Sequence, residues 1–307
     1  MPGGFTHFGL VKELGINRTL MSIKGMSHDI ADAIQEYYGY VDLGAVAPDL
    51  PYLTPLSSNW ADAFHHQRTI DVVRVGVRRL ESLDDKHEDR RKLLAWLFGY
   101  ASHAVADMIA HPVIAIKVGE YEENKTEHRV CEMNQDTYVF SHYFGDAIDA
   151  CEYLDHGIKT CTDDGRSGAV LAKGIGTFWT EVLREVYPDK GRSAPASWFR
   201  QFVTVIDGVA EEGGRCLAMR GSAEGGGIVY PQTPNMTYVD DLKSPYGESV
   251  TFDDLFRRFQ EETKVVWGQM AQAIVANDAT LIKLPNGDFD TGVNLAGGQT
   301  SIFWGQK

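Results

Sequence analysis

The stretch LLAWLFGYASHAVADMIAH, residues 93–111, decides how this chain folds. Leu93, Leu94, Leu97 and Tyr100 recur at helical spacing and predict a helix over residues 88–111. In its second half His103, Asp107 and His111 stand at i, i+4 and i+8 in an otherwise apolar run. On a 3.6-residue helix they form one stripe, each about a turn beyond the last. The stripe presents two imidazoles and a carboxylate to a common volume inside a bundle. Burying three such groups is costly unless something satisfies them. Hydrogen-bonded core histidines are one answer. A divalent cation is the other, because imidazole nitrogen and carboxylate oxygen are ligands that zinc takes.

Most of the chain outside this stretch also reads as helix. Residues 27–38 open on Ser27 as N-cap and stop before Gly39. Residues 39–59 contain Pro48, Pro51 and Pro55 and read as a loop. One helix is expected over 60–83, with Ile70, Val73, Val77 and Leu80 on one face, and one or two more over 121–155 after a reversal near Gly119. Helical patterns recur at 168–186, 197–219 and 252–277, the last announced by the Thr251-x-x-Asp254 capping pattern. Residues 221–247, rich in Gly and Pro, read as a long loop excursion. The tail leaves room for a small hairpin around Asn286-Gly287. Neither segment marks a domain boundary, because the helix between them needs a core for its apolar face. The expectation is an all-α chain, one mainly helical domain over 1–307 with its chemistry within 1–140.

Composition narrows the classes. The chain has 307 residues, 43% hydrophobic and 23% charged, which is ordinary globular usage and excludes wholesale disorder. No run of eighteen apolar residues occurs, so no membrane-spanning helix is expected. A formal charge of −14 argues against duplex nucleic acid or an anionic membrane held by bulk attraction. Local cationic sites, metal ions among them, are compatible with that charge. The N-terminus MPGGFTHFGLVKELG has no apolar core behind basic residues, so a cleavable secretory signal is not expected. The expected location is cytoplasmic, or outside the cell by export without such a signal. Cys131, Cys151, Cys161 and Cys216 show no C-x-x-C spacing and read as free, buried thiols.

Histidines cluster between residues 65 and 142, and four further pieces join the stripe. His128 and Glu132 stand at i, i+4 on a predicted helix; alone, the pair reads as a surface contact, and it gains weight by following the stripe closely. Asp49 lies in Gly44-Ala-Val-Ala-Pro-Asp-Leu-Pro51, flanked by apolar residues and by prolines that fix the backbone. His65 and His66 end Trp60-Ala-Asp-Ala-Phe-His-His66 and point about 100° apart, so only one is expected to face a shared site. His7 follows Gly-Gly-Phe-Thr near the N-terminus.

In this order, His7, Asp49, His65, His103-x3-Asp107, His111 and His128-x3-Glu132 resemble the bacterial zinc-dependent phospholipase C family. The contexts GAVAPDLP, WADAFHH and FGYASHAVAD are similar to it as well. That family shares an all-helical, trinuclear zinc fold with the fungal single-strand-specific zinc nucleases. The resemblance covers about the first 140 residues and implies a multi-helix bundle holding two or three zinc ions. It implies that Asp49, His65, His103 and Asp107 hold one zinc, with Asp107 bridging to another. His111, His128 and Glu132 would hold a second. His7 and the N-terminal amine and carbonyl, with Asp107, would complete a third. The family usually places a processed tryptophan at that terminus, whereas this chain reads Met1-Pro2-Gly3. Three metals, or two with a peripheral His7, therefore both stay open.

The implied chemistry is phosphodiester hydrolysis by metal-activated water, with Asp49 orienting or deprotonating that water. No Ser/His/Asp or Cys/His arrangement competes with it in the sequence. The nuclease branch usually has aspartate at the position of Glu132, so the resemblance leans toward a phospholipid substrate and a transient membrane-surface contact. A single-strand nuclease, a small-molecule phosphoesterase and a non-catalytic, metal-stabilised interaction protein are the alternatives. Both well-known branches are typically secreted, and the N-terminus departs from them in that respect. Phe5, Phe8, Tyr52, Trp60 and Phe64 either line a substrate pocket or pack in the core.

Overall fold

The computed structural model describes residues 3–54, 57–83, 88–121, 123–144, 153–154, 156–210, 231–298 and 301–305. In chain order come α1 (Gly4–Leu14), α2 (Asn17–Ser22), α3 (His28–Glu36), α4 (Tyr38–Val46), α5 (Ser58–His66) and α6 (Asp71–Leu80). There follow α7 (Glu88–Val118), α8 (Lys125–Val139), α9 (Lys173–Val186), α10 (Pro195–Ala210) and α11 (Phe252–Ala276). Among the described residues the strands are β1 (Leu242–Lys243) and β2 (Ser249–Val250), an antiparallel pair with Leu242 opposite Val250. The fold is all-α.

Helix α7 is the axis. It is 31 residues long, and from Leu93 to His111 every residue is buried. By length and composition it could cross a membrane, although it has no unbroken apolar run of eighteen residues, yet its most apolar window lies wholly inside the bundle. It also runs through Pro112, past the end expected at His111. Proline there removes the N–H that would bond the Met108 carbonyl.

Helix α4 makes the most extensive contact with α7, and two glycines set its closeness. A Cβ built on Gly44 would lie 2.0 Å from the Trp96 carbonyl oxygen, and one on Gly99 would lie 2.0 Å from that of Val41. The two backbones therefore touch. On another side α11 is pinned by Trp267, whose Nε1 donates to the Phe98 carbonyl and to Ser102 Oγ, both at 3.0 Å. Trp96, Trp179, Trp198 and Trp267 are all fully buried and fill the spaces between helices. Valines and Leu80 make the inner face of α6, while Arg79 on its outer face pairs with Glu181 and Glu185 of α9.

The segment 39–59 is not a loop throughout: α4 occupies its first half and a 3-10 turn covers Leu50–Leu53. The prolines restrict only the residues from Ala47 onward, which leaves the apolar stretch before them free to form helix. The single helix expected over 60–83 is two, α5 and α6, broken at Arg68, whose φ is +49°. Its cap is remote: Asn286 Oδ1 accepts from the backbone N–H groups of Ile70 and Asp71, at 2.8 and 3.1 Å. Over 121–155 the structure has α8 and a π-turn at Phe140–Phe144; residues 145–152 lie outside the described residues. So do 211–230, which include the end of the helix expected over 197–219 and the start of the excursion. Ser27 and Thr251 both act as caps, the latter in a full capping box with Asp254. In the tail, isolated bridges join Gly287 to Asn294 and Val293 to Ser301, so the chain turns over 288–292 rather than at Asn286-Gly287.

Two consequences are measurable. Gly99→Ala should destabilise the protein toward urea by about 1–3 kcal/mol, because the obstructing atoms are backbone and cannot rotate away. Asp42, fully buried on α4, has its carboxyl raised well above the ordinary range by burial, with only Tyr153 and Lys12 opposing. The native state keeps this proton to higher pH than an unfolded aspartate, whose pKa is about 3.9. Its contribution is therefore complete below that value and is lost as pH rises toward the native pKa. Asp42→Asn should flatten that decline, read as a melting temperature higher than wild type at pH 8 and little changed at pH 4.

Candidate metal centre

Helix α7 turns its polar stripe toward α1, α5, α8 and the loop after α4. Its Asp107 is completely buried and divides its two oxygens. Oδ1 lies 3.2 Å from His7 Nε2, whereas Oδ2 lies 3.2 Å from His103 Nε2 and 3.7 Å from His65 Nε2. Asp49 Oδ1 stands 3.3 Å from His65 Nε2 and 3.6 Å from His103 Nε2. The rings of His7 and His103 stack at 4.2 Å. One turn along the stripe, His111 Nε2 lies 3.9 Å from Glu132 Oε1, and His128 Nε2 lies 3.1 Å from the same oxygen.

Three groups of side chains thus bring one ligand atom each within 4.8 Å of one another: His7, His103 and Asp107; Asp49, His65 and His103; His111, His128 and Glu132. All eight residues singled out in the sequence belong to them. Of the adjacent pair, His65 turns into the cluster. His66 turns away, with Nδ1 2.9 Å from Asp288 Oδ2. Met1 and Pro2, which the resemblance would place beside His7, lie outside the described residues.

The backbone holds these rings in one sense. His65 Nδ1 faces the Ala61 carbonyl at 2.8 Å, His103 Nδ1 that of Ala45 at 2.9 Å, and His111 Nδ1 that of Phe289 at 3.1 Å. A carbonyl accepts from Nδ1–H, which leaves the Nε2 lone pair directed at the cluster in the neutral imidazole. The Ala45 carbonyl reaches His103 because α4 lies so close on α7. His7 is placed by Asp136 of α8. That buried carboxylate accepts from the Phe5 N–H, the Thr6 N–H and the Thr6 hydroxyl, at 3.3, 2.8 and 2.8 Å, an anion at the N-terminus of α1.

Protons alone serve the cluster poorly. His103 is raised to about 9: burial opposes its charge, and the Asp107 and Asp49 carboxylates overcome that. His7 is lowered, chiefly by burial and then by His103. Asp107 is held well below the usual carboxylate range despite its burial, first by His103 and His111. Buried atoms without a hydrogen-bond partner include His7 Nε2, Asp49 Oδ1, His103 Nε2, both oxygens of Asp107, His111 Nε2 and His128 Nε2. Unmet buried acceptors of this kind cost about 1–3 kcal/mol each. They are nitrogen and oxygen donors of the types zinc takes, so the residues fit the ion.

A cavity of about 270 Å³ opens onto the cluster. Tyr52, Tyr121, Lys125, Arg129 and Asp290 line it beside His65, His128 and Glu132. Clefts of about 1070 and 540 Å³ elsewhere carry none of the eight residues. Of the aromatic residues considered for a pocket, Tyr52 lines it, whereas Phe5, Phe8, Trp60 and Phe64 are buried in the core. Cys131 and Cys161 are buried free thiols; Cys151 and Cys216 lie outside the described residues.

The family model described as zinc dependent phospholipase C matches residues 6–188, more than half of the chain. The chain belongs to the zinc-dependent phospholipase C family. No curated protein and no solved structure matches it. Membership makes this chain one of a family of phospholipid hydrolases that depend on zinc, and the all-α fold agrees with that. The matched stretch contains all eight residues of the cluster. It leaves out Asp288, Phe289 and Asp290, which the sequence reading also missed. Their only local signal is Asn286-Gly-Asp-Phe-Asp290, two acids in a turn-rich tail without helical spacing.

Metal removal tests the fit. EDTA treatment should lower the melting temperature by about 5 °C or more, and added zinc should restore it, because the ion stabilises only the folded cluster. An identical melting curve with and without the chelator would mean that no ion is held.

Proposed function

We propose that this protein hydrolyses a phosphodiester bond with zinc, most specifically by phospholipase C-type cleavage of a phospholipid. The observation that carries the reading is the convergence of the eight acidic and imidazole side chains, six of which bring buried donor atoms without a hydrogen-bond partner, beside a cavity with cations on its wall. Asp49, His65, His103 and Asp107 would hold one ion, His111, His128 and Glu132 a second, and His7 with Asp107 a third. Bound zinc supplies Lewis acidity toward phosphoryl oxygens and lowers the pKa of water toward neutrality.

The chain's own residues do the rest. Asp49 is the most accessible acid of the cluster, 17% exposed where Asp107 is wholly buried. It is therefore the carboxylate that reaches an attacking water, to orient it and accept its proton. Lys125 and Arg129 stand on the cavity wall one helical turn apart and offset the negative charge of an entering phosphate. Tyr52 and Tyr121 flank the same opening and give apolar faces to the organic part of the substrate. Among the described residues that line the cavity there is no serine, threonine or cysteine, in keeping with water as the nucleophile.

Purified protein should contain two or three zinc ions per chain and hydrolyse phosphatidylcholine micelles faster than single-stranded DNA. Asp49→Asn should reduce the rate by 100-fold or more, on the order of the general-base contribution, with the circular dichroism spectrum unchanged. Activity confined to oligonucleotides would replace lipid by nucleic acid as the substrate. Zinc binding without activity on either substrate or on para-nitrophenyl phosphodiesters would make the centre structural.

A further inference from the structure

Beyond the stretch that the family match spans, the tail returns to the stripe of α7. Phe289 N–H donates to the His65 carbonyl at 2.8 Å, and Thr69 Oγ1 donates to the Gly287 carbonyl at 2.8 Å. Gly292, at φ +66°, lies so close to α7 that a Cβ there would sit 2.4 Å from the Met108 carbonyl oxygen. Gly287 meets the Met108 sulfur in the same way. These contacts carry Asp290 to the outer edge of His111.

We propose that Asp290 is a positioning residue for the second zinc set, acting through His111. The proposal rests on the zinc-holding role given above to His111, His128 and Glu132. His111 has two nitrogens in different surroundings. Nε2 is buried, has no hydrogen-bond partner and faces Glu132. Nδ1 lies 3.1 Å from the Phe289 carbonyl oxygen and 3.2 Å from Asp290 Oδ1. A carbonyl suffices to orient a ring. A carboxylate at the outer nitrogen adds something else: it draws on the Nδ1 proton and makes Nε2 a stronger donor to a metal.

Charge gives the reason for it at this place. The second set contains one carboxylate, Glu132, and the Arg129 guanidinium lies 3.7 Å from it. A divalent ion in the second set is left with an uncompensated positive charge, and Asp290 supplies the missing negative one without occupying a ligand position. The anchor of Asp290 is itself braced. Its Oδ2 lies 3.8 Å from His66 Nε2, and the other nitrogen of that ring lies 2.9 Å from Asp288 Oδ2. Asp288 Oδ1 in turn accepts from the N–H groups of Asp290 and Thr291, which fixes the turn.

The test is zinc affinity, measured by competition with a chromogenic chelator, for wild type, D290N, D290E, H111A and the H111A/D290N double variant. D290N should weaken the retention of one ion 10- to 100-fold and leave the others unchanged, the range that second-layer partners of metal ligands command. D290E, which keeps the charge, should recover most of the loss. In the H111A background D290N should add nothing further, since its effect passes through that ring. Wild-type retention of every ion by D290N overturns the proposal. So does an equal loss in D290N and D290E, or a loss in the double variant that sums the two single ones. Wild-type protein that takes up no zinc overturns this proposal together with the reading beneath it, whereas zinc-loaded wild type with an indifferent D290N overturns this proposal alone. Circular dichroism of each apo variant confirms that the fold persists, and D290E keeps the question answerable if D290N does not fold.

Discussion

Three carboxylates and five imidazoles face one another in the interior of this protein, and the fold is arranged around that fact. Asp49, Asp107 and Glu132 carry negative charge into a region from which water is largely excluded. Among the described residues Arg129 comes within 3.7 Å of Glu132 at the rim, whereas Asp49 and Asp107 face histidines. The protein surrounds the carboxylates with five histidines, of which His65, His103 and His111 have their outer nitrogens committed to backbone carbonyls. Such an arrangement is poor as a self-sufficient core, because many inner nitrogens and oxygens lack partners. It is good as a receptacle for a cation of about the size and preference of zinc.

Convergence of this kind needs close and rigid placement of the helices that carry it. The crossing of α4 on α7 supplies part of it, since the Gly44 and Gly99 contacts let backbone meet backbone and bring the Ala45 carbonyl to His103. Asp136 supplies another part by fastening the start of α1, so that His7 arrives at Asp107. Neither Asp136 nor the glycines offer an atom to the cluster. They decide where those that do will stand.

The sequence made the cluster legible and left its surroundings obscure, for a physical reason. Periodicity at i, i+4 and i+8 is local, and His103, Asp107 and His111 therefore declared themselves on one helix face. His128 and Glu132, ambiguous by spacing alone, were drawn in by the ordered set that carried the family likeness. The choice of His65 over His66 came from the family likeness alone, as spacing does not separate adjacent residues; in the structure His65 is the one that turns into the cluster. The break between α5 and α6 was hidden because its cap is an asparagine more than two hundred positions away. The helix α4 was obscured by prolines that act only after it. Asp290 was invisible for a similar reason: its partner His111 lies far off in the chain, and neither residue signals the other.

The position of that last contact along the polypeptide has a consequence for biosynthesis. The tail that reaches His111 is translated after every residue of the cluster has already left the ribosome. A nascent chain can gather the eight inward-facing residues while the outer side of His111 still lies open to solvent. Closure of that side awaits the arrival of residues 286–292, so the fixing of the His111 ring is coupled to late synthesis rather than to early collapse of the bundle.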